Sequence, residues 1–463
     1  MKPPVTTGDI IELTVTGQSH TGDGVGKYEG FTVFVPLALT GERIRAKITK
    51  VKKTYAHGRM LEILEPAPAR TEPACPVFER CGGCQLQHVS YEEQLRIKRQ
   101  QVIDSFQRIG GWEEPVPVLP VIGMQDPWAY RNKAQVPFGL RGGELVAGFY
   151  AAGTHTIVDM DTCGIQHPDN DQAVREVKRL AKEWGISPYD EKNHRGVLRH
   201  VMVRTGFATG EMMVVLVTNG KRLPHREMLV TELRKALPRM KSLVQNINDR
   251  RTNVILGRKN RLLWGEPVIR DRIGSVTYVI SPQSFFQVNP VQTRVLYDQV
   301  RRYARLTGRE IVMDVYCGAG TIGLYLADGA AWVYGVESVA EAVEDARRNA
   351  QINGIEHVTF VAGKAEEVMP KWREQGIRPD VIVVDPPRKG CDPVLLDTVV
   401  DMHPKRLVYV SCNPATLARD ARYLRERGFE TREVQPVDMF PHTSHVECVA
   451  WMEPVGKTLD GNK

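Results

Sequence analysis

The chain has 463 residues and a mass of 52.1 kDa, with 42% apolar and 25% charged residues, ordinary proportions for globular protein divided into about two to four domains. No run of about 18 apolar residues occurs, so no membrane span is expected; Met1-Lys2-Pro3-Pro4-Val5 lacks the apolar stretch of a secretory signal, and eight cysteines in so long a chain fit a reducing cytoplasm better than a disulfide scaffold. The net charge of +7 and pI near 8.9 suit a polyanionic partner without demanding one.

Residues from about 5 to 65 read as short strands with glycine turns between them. Ile10 to Thr16 is one strand and Gly22-Asp-Gly-Val-Gly-Lys27 a turn; Phe31 to Pro36, Gly41 to Lys53 and Gly58 to Leu64 follow. The spacing predicts a small closed β-barrel of the OB-like kind. One strand carries Arg43, Arg45, Lys47, Lys50, Lys52 and Lys53, with Tyr28, Phe31 and Tyr55 nearby. Cations beside aromatics suit an RNA-tracking, base-stacking surface, and a lysine-blunted edge strand would look similar.

A proline-rich boundary from Leu64 leads into Cys75-x5-Cys81-Gly-Gly-Cys84. Tyr91 to Ile109 is predicted helical, and Glu113 to Pro120 is another break. From about 127 to 280, strand-like runs such as Met212 to Thr218 alternate with helical patches at 171–184 and 226–236, a mixed α+β segment that contains Cys163.

From about 290 the chain alternates strand and helix. Ile311 to Val315 runs into the loop Cys317-Gly318-Ala-Gly320-Thr321, and Ile322 to Ala327 starts a helix. Trp332 to Glu337, Val358 to Val361, Val381 to Val384 and Leu407 to Val410 are further strands, with a helix over 339–353 and a last pair at 429–434 and 446–451. This is an α/β pattern, a doubly wound parallel sheet with an antiparallel end.

The loop Asp314-x3-Gly318-x-Gly320 lacks the full dinucleotide fingerprint. Glu337 ends the second strand, where a carboxylate accepts hydrogen bonds from ribose hydroxyls, so a nucleoside cofactor without pyrophosphate fits better than NAD; S-adenosylmethionine is the obvious one. Asp385-Pro-Pro-Arg388 puts a polar tip on the fourth strand. Cys75, Cys81, Cys84 and the distant Cys163 supply four thiols, suited to a zinc site or an iron–sulfur cluster, and the single Cys-x2-Cys knuckle favours the cluster. Ser411-Cys412-Asn413-Pro414 stops the fifth strand at the sheet edge where ligands bind, so Cys412 is a candidate nucleophile; Cys317, Cys391 and Cys448 read as structural.

Four features occur together: the barrel with Gly22-Asp-Gly-Val-Gly and Phe34-Val-Pro, the Cys-x5-Cys-Gly-Gly-Cys set, Asp385-Pro-Pro-Arg388, and Ser411-Cys-Asn-Pro followed by His445-Val-Glu447-Cys. The whole resembles the ribosomal RNA uracil-C5-methyltransferases that carry a TRAM domain and a [4Fe-4S] cluster. The resemblance implies a TRAM barrel over 1–66, a central α+β iron–sulfur domain over 67–288, and a class I Rossmann-like methyltransferase domain over 289–463. It makes Cys75, Cys81, Cys84 and Cys163 the cluster ligands. Gln287, Tyr316, Glu337 and Asp385 match cofactor-binding positions, as does Thr321, where some relatives have asparagine; Lys364 stands where an amide or acid is more usual.

The implied chemistry is transfer of a methyl group from S-adenosylmethionine to C5 of a uridine in 23S ribosomal RNA, with Cys412 adding to C6 and Glu447 removing the C5 proton. The target base is expected flipped out of its stack, and the protein monomeric and cytoplasmic. A transfer RNA substrate, methylation of a base nitrogen with Cys412 as packing, and an iron–sulfur RNA-binding protein without methyl transfer are the alternatives.

Overall fold

The computed structural model describes residues 3–114 and 116–455. Met1 and Lys2 in the opening segment, Pro115 in the break at 113–120, and residues 456–463 at the end of the last predicted domain lie outside the described residues.

In Ile11-Glu-Leu-Thr-Val15 and Ile44-Arg-Ala-Lys-Ile48 the apolar residues are buried and the polar ones between them face outward, the period-two pattern of a strand with one wet face. The strands Ile10–Gln18, Gly24–Tyr28, Phe31–Val35, Tyr55–Glu65 and Arg43–Val51 form a closed barrel in that spatial order. The ring closes where the first pairs antiparallel with the last. The expected turn over Gly22–Lys27 is a turn only up to Asp23, because Gly24–Tyr28 is a strand. A Cβ on Gly24 would lie 2.6 Å from the Ala38 carbonyl oxygen, and one on Gly26 2.5 Å from Leu13. These glycines permit close strand approach rather than chain reversal.

The central sheet has seven strands in the order Lys259–Gly265, Met240–Ile247, Met212–Thr218, Leu198–Thr205, Lys133–Arg141, Glu144–Tyr150 and Ile157–Asp159. Helices Pro168–Glu183 and Arg226–Ala236 cover one face through Val174, Val177, Leu180, Leu229 and Leu233. The opposite face sends Met202, Met213, Val215 and Val217 into a core shared with the carboxy-terminal unit. The hairpin Ile269–Ile273/Val276–Ile280 sits against that unit, where the Tyr278 hydroxyl donates to the Thr321 carbonyl at 2.9 Å and the Val279 amide to Asn349 Oδ1 at 2.9 Å.

The carboxy-terminal sheet runs Val358–Ala362, Trp332–Glu337, Ile311–Val315, Val381–Val384, Arg406–Ser411, Glu447–Pro454, Phe429–Val437. The first five are parallel, and Glu447–Pro454 is antiparallel to both its neighbours. Succession reverses direction between Ile311–Val315 and Val381–Val384, and such a switch point opens a crevice at the strands' carboxyl ends. Helix Tyr91–Arg108 packs Val102 and Phe106 with Leu417, Ala421 and Leu424 of helix Pro414–Arg425. The buried ammonium of Lys98 donates to Asp438 at 2.6 Å and anchors this helix to the segment just before Glu447. No helix among the described residues is long and apolar enough to cross a membrane.

Candidate active site

A cleft of about 1690 Å³ opens at the switch point. Gln287, Tyr316, Thr321, Glu337, Asp385, Cys412 and Glu447 all line it, so the predicted cofactor-binding and catalytic residues converge on one space from six separate stretches of chain.

The cofactor end is built from backbone. Ile311–Val315 ends in a loop where Tyr316, Gly318 and Gly320 all have positive φ, 66°, 54° and 75°. At Gly320 a Cβ would also strike the Phe360 ring at 2.9 Å, so only glycine turns the chain there. Glu337 holds the loop from the next strand: its carboxylate accepts from the Gly318 amide at 3.2 Å and the Val339 amide at 2.9 Å. Asp314 is fully buried; one oxygen accepts from the Gly323 amide at 2.7 Å and the other has no partner. Burial pushes its carboxyl up to about 7, and burial does the same to Asp385. Thr321 accepts a hydrogen bond from Tyr297 at 2.9 Å, and Lys364 lies at the rim in an ion pair with Glu367 at 3.4 Å.

At the reacting end, the Ser-Cys-Asn-Pro residues each have a visible task. Asn413 caps helix Pro414–Arg425 by accepting from the Ala415 amide at 3.1 Å, and its amide group donates to the Arg388 carbonyl at 3.0 Å. Pro414 takes the first helical position, where it needs no N–H partner. Ser411 Oγ closes the turn by donating to the Asn413 carbonyl at 3.0 Å and accepting the Asn413 amide at 3.1 Å. Cys412 is thereby held half-buried on the turn that joins strand to helix.

Glu447 begins the antiparallel strand beside it. Ser411 pairs with Cys448 at the end of that ladder, so Cys412 and Glu447 are the chain neighbours of one cross-strand pair, and both line the cleft. Glu447 is 5% exposed, and burial together with Asp385 raises its carboxyl well above the ordinary range while Arg388 opposes the shift. Burial, Glu447 and Asp385 push the Cys412 thiol up to about 11, again against Arg388. Arg388 is the cation that favours ionisation at both groups.

Arg388, Phe285, Arg131 and His445 also line the cleft, although the sequence alone assigns none of them a role there. Phe285 carried a signal: in Ser284-Phe-Phe-Gln287, Phe286 is 3% exposed and Phe285 66%, an aromatic face left open at the cleft mouth. Cys317, Cys391 and Cys448 are buried, as expected of structural thiols.

The other four cysteines are not among the residues lining the cleft, although Gly83 of their loop is. Cys81 bridges to Ala151, and Gly82 donates to the Tyr150 carbonyl at 2.9 Å, where a Cβ would come within 3.1 Å of the Ala152 backbone. The Cys163 amide donates to Asp171 at 2.8 Å. Burial raises the Cys81 thiol, and raises Cys84 to about 11 and Cys163 to about 12, with neighbouring cysteines adding to each shift. The four thiols therefore share a neighbourhood. Among the described residues, however, no three His, Cys, Asp or Glu side chains gather closely enough to hold a metal ion.

The sheet order, the crevice at its switch point, the glycine loop and the acid on the second strand form a methyltransferase fold, here joined to a small closed β-barrel. The family model described as tRNA (Uracil-5-)-methyltransferase matches residues 193–455, and the TRAM domain model matches 4–61. The chain is 57% identical over 450 residues to a protein of Halalkalibacterium halodurans described as an uncharacterized RNA methyltransferase, covering 97% of this chain and 98% of the relative. A relative of the same description from Bacillus cereus is 53% identical over 455 residues, covering 98% and 99%. The crystal structure of Pyrococcus abyssi tRNA (uracil-54, C5)-methyltransferase in complex with S-adenosyl-L-homocysteine superposes with a TM-score of 0.78 at 30% identity, covering 96% of this chain and 100% of that one. The chain belongs to the tRNA (uracil-5-)-methyltransferase family and is an RNA (uracil-5-)-methyltransferase with an amino-terminal TRAM domain.

Proposed function

We propose that the enzyme uses S-adenosylmethionine to methylate C5 of a uridine in RNA through a transient bond between Cys412 and C6 of the base. The observation that carries this reading is the presence of Cys412 and Glu447 together in the cleft that also holds the glycine loop and Glu337. S-adenosylmethionine, when bound, supplies a methyl group made electrophilic by its sulfonium; Gln287, Tyr316, Thr321, Glu337 and Asp385 line the space for it. The Cys412 thiolate adds to C6, and the electron pair of the C5–C6 double bond moves towards C5 and O4. C5 so activated takes up the methyl group. Glu447, as carboxylate, removes the C5 proton, the double bond reforms, and the thiolate leaves C6. The cysteine and the base divide one hard substitution into an addition and an elimination.

The sequence spacing and all-thiol chemistry of Cys75, Cys81, Cys84 and Cys163 support a [4Fe-4S] cluster, although among the described residues these thiols do not gather closely enough to hold a metal ion as they stand. The group would supply a covalent staple for the loop between barrel and helix. Methyl transfer to an activated C5 needs no electron, and no step depends on it.

For the substrate, the resemblance of the TRAM barrel and cysteine set to ribosomal RNA uracil-C5-methyltransferases favours 23S ribosomal RNA. Transfer RNA is the second reading, favoured by the description of the matched family and by the archaeal neighbour, which is a tRNA enzyme. Mapping 5-methyluridine in ribosomal and transfer RNA from a deletion strain tests both: loss from 23S RNA alone supports the first, loss from transfer RNA alone the second, and loss from neither overturns the function.

A further inference from the structure

Buried and half-buried cations elsewhere in the molecule are answered at short range. Lys98 meets Asp438 at 2.6 Å, Arg70 meets Glu42 at 2.5 Å, and Lys178 meets Asp159 at 2.8 Å. Arg199 is wrapped by the carbonyls of Asn248, Arg250 and Thr252. One group breaks the pattern. Lys133 and Arg204 are direct cross-strand partners in the central sheet, and Arg131 precedes Lys133 by two residues, at the spacing that returns to the same face. That face is the one turned towards the carboxy-terminal unit, since Gln135 two residues further on donates to Met202 of the shared core at 3.6 Å.

Among the described residues no carboxylate pairs with any of these three cations. Burial, reinforced by the unfavourable charges of Arg204 and Arg131, pushes the Lys133 ammonium down to about 7. Arg204 is 5% exposed; it donates to the Ser284 carbonyl at 2.6 Å, and its Nε has no partner. Gathering three like charges in a half-dry place is costly unless an anion arrives to answer them. Arg131 opens into the same cleft as Cys412, and the loop that carries Phe285 and Gln287 hangs from this group through the Arg204–Ser284 bond and an Asn132 side-chain bond to the Gln287 carbonyl at 3.0 Å.

We propose that Arg131, Lys133 and Arg204 form a binding site for a phosphodiester of the RNA strand that carries the target uridine into the cleft. The site rests on the RNA-methylating reading above and adds to it the anchor for the backbone beside the flipped nucleotide. A base entering the cleft brings its own phosphates to the mouth, where Arg131 lines the wall and the Lys133–Arg204 pair stands behind it. The charge repulsion stored in the free protein is released when the phosphate binds.

The test uses the full-length protein and a uridine-containing single-stranded RNA of about 12 nucleotides. Lys133→Gln should lower the slope of log affinity against log salt by about 0.7, weakening binding about fivefold at 0.1 M salt. Lys133→Arg should restore both. The melting temperature of free Lys133→Gln should rise, because one of three mutually repelling charges is gone. In a methylphosphonate scan, a neutral linkage beside the target uridine should weaken binding to the wild-type protein and add nothing to the loss in Lys133→Gln. An unchanged salt slope in Lys133→Gln, or a scan with no linkage that distinguishes the two proteins, overturns the site. So does loss of protein-bound iron in Lys133→Gln with RNA binding intact, which would make the cations the counter-charge of a cluster at Cys84. Normal RNA methylation with an unchanged slope removes the phosphate site alone; the expected slopes without any 5-methyluridine formation remove the catalytic reading and leave the site standing.

Discussion

Cys412 and Glu447 flank the Ser411–Cys448 pair that ends an antiparallel strand ladder, and both line the same cleft. Their chain positions are 35 residues apart, yet the sheet delivers a thiol and a carboxyl to one wall of the cleft. This division of labour makes the two groups separable by substitution. Glu447→Gln should still form the bond to C6 and still accept the methyl group, but should fail to release product. Denaturing gels of Glu447→Gln with substrate RNA and S-adenosylmethionine should show a protein–RNA adduct that accumulates while turnover falls at least a hundredfold, on the order of the general-base contribution.

The thiol pushed up to about 11 sets the pH dependence of the first step. Only the thiolate adds to C6, and below that value its fraction rises about tenfold per pH unit. Adduct formation measured in single turnovers should therefore climb between pH 6 and 9. Arg388 opposes the upward shift at Cys412, so Arg388→Met should slow adduct formation at neutral pH and recover part of the rate at higher pH.

Glu337 offers a binding test independent of chemistry. Its carboxylate organises the Gly318 amide and faces the cofactor end of the cleft. Loss of charge-assisted hydrogen bonds costs about 1.5–3 kcal/mol, so Glu337→Ala should weaken S-adenosylhomocysteine binding by about ten- to a hundredfold in calorimetry, with RNA affinity retained.

Asp314 links the site to stability. Its carboxyl is raised by burial to about 7, whereas an unfolded aspartate titrates near ~3.9. The folded protein thus holds a proton there that the unfolded chain has released, and the associated stability, complete below about pH 4, is lost as pH rises to about 7. Asp314→Asn, which removes the titration, should melt higher than wild type at pH 8 and show no such gain at pH 5.

The buried pair of Lys98 and Asp438 joins helix Tyr91–Arg108 to the segment leading into Glu447. Lys98→Met leaves an uncompensated carboxylate and should cost about 3–5 kcal/mol in denaturant unfolding; adding Asp438→Asn should recover part of that loss.

Much of the carboxy-terminal sheet was legible because each parallel strand is a short, continuously apolar run between turn residues, as in Val381-Ile-Val-Val384 and Leu407-Val-Tyr-Val410. Cys412 and Glu447 were legible as motif residues, while their register needed the sheet. The role of Gly24 and Gly26 was hidden because close approach by Ala38 and Leu13 leaves no local mark in the sequence. Helix Tyr91–Arg108 was found, but its docking on Pro414–Arg425, more than 300 residues later, is a tertiary choice that periodicity does not encode. The same holds for Arg131, Lys133 and Arg204, whose meeting depends on the pairing of two distant strands.

The most direct measurement of the central claim uses RNA containing 5-fluorouridine at the target position. Fluorine at C5 cannot be removed by a base, so a covalent intermediate is trapped after methyl transfer. Mass spectrometry of the digested complex should find the methylated nucleotide on the peptide containing Cys412, and Cys412→Ala should give no adduct. An adduct on another cysteine, or equal trapping by Cys412→Ala, would contradict the account.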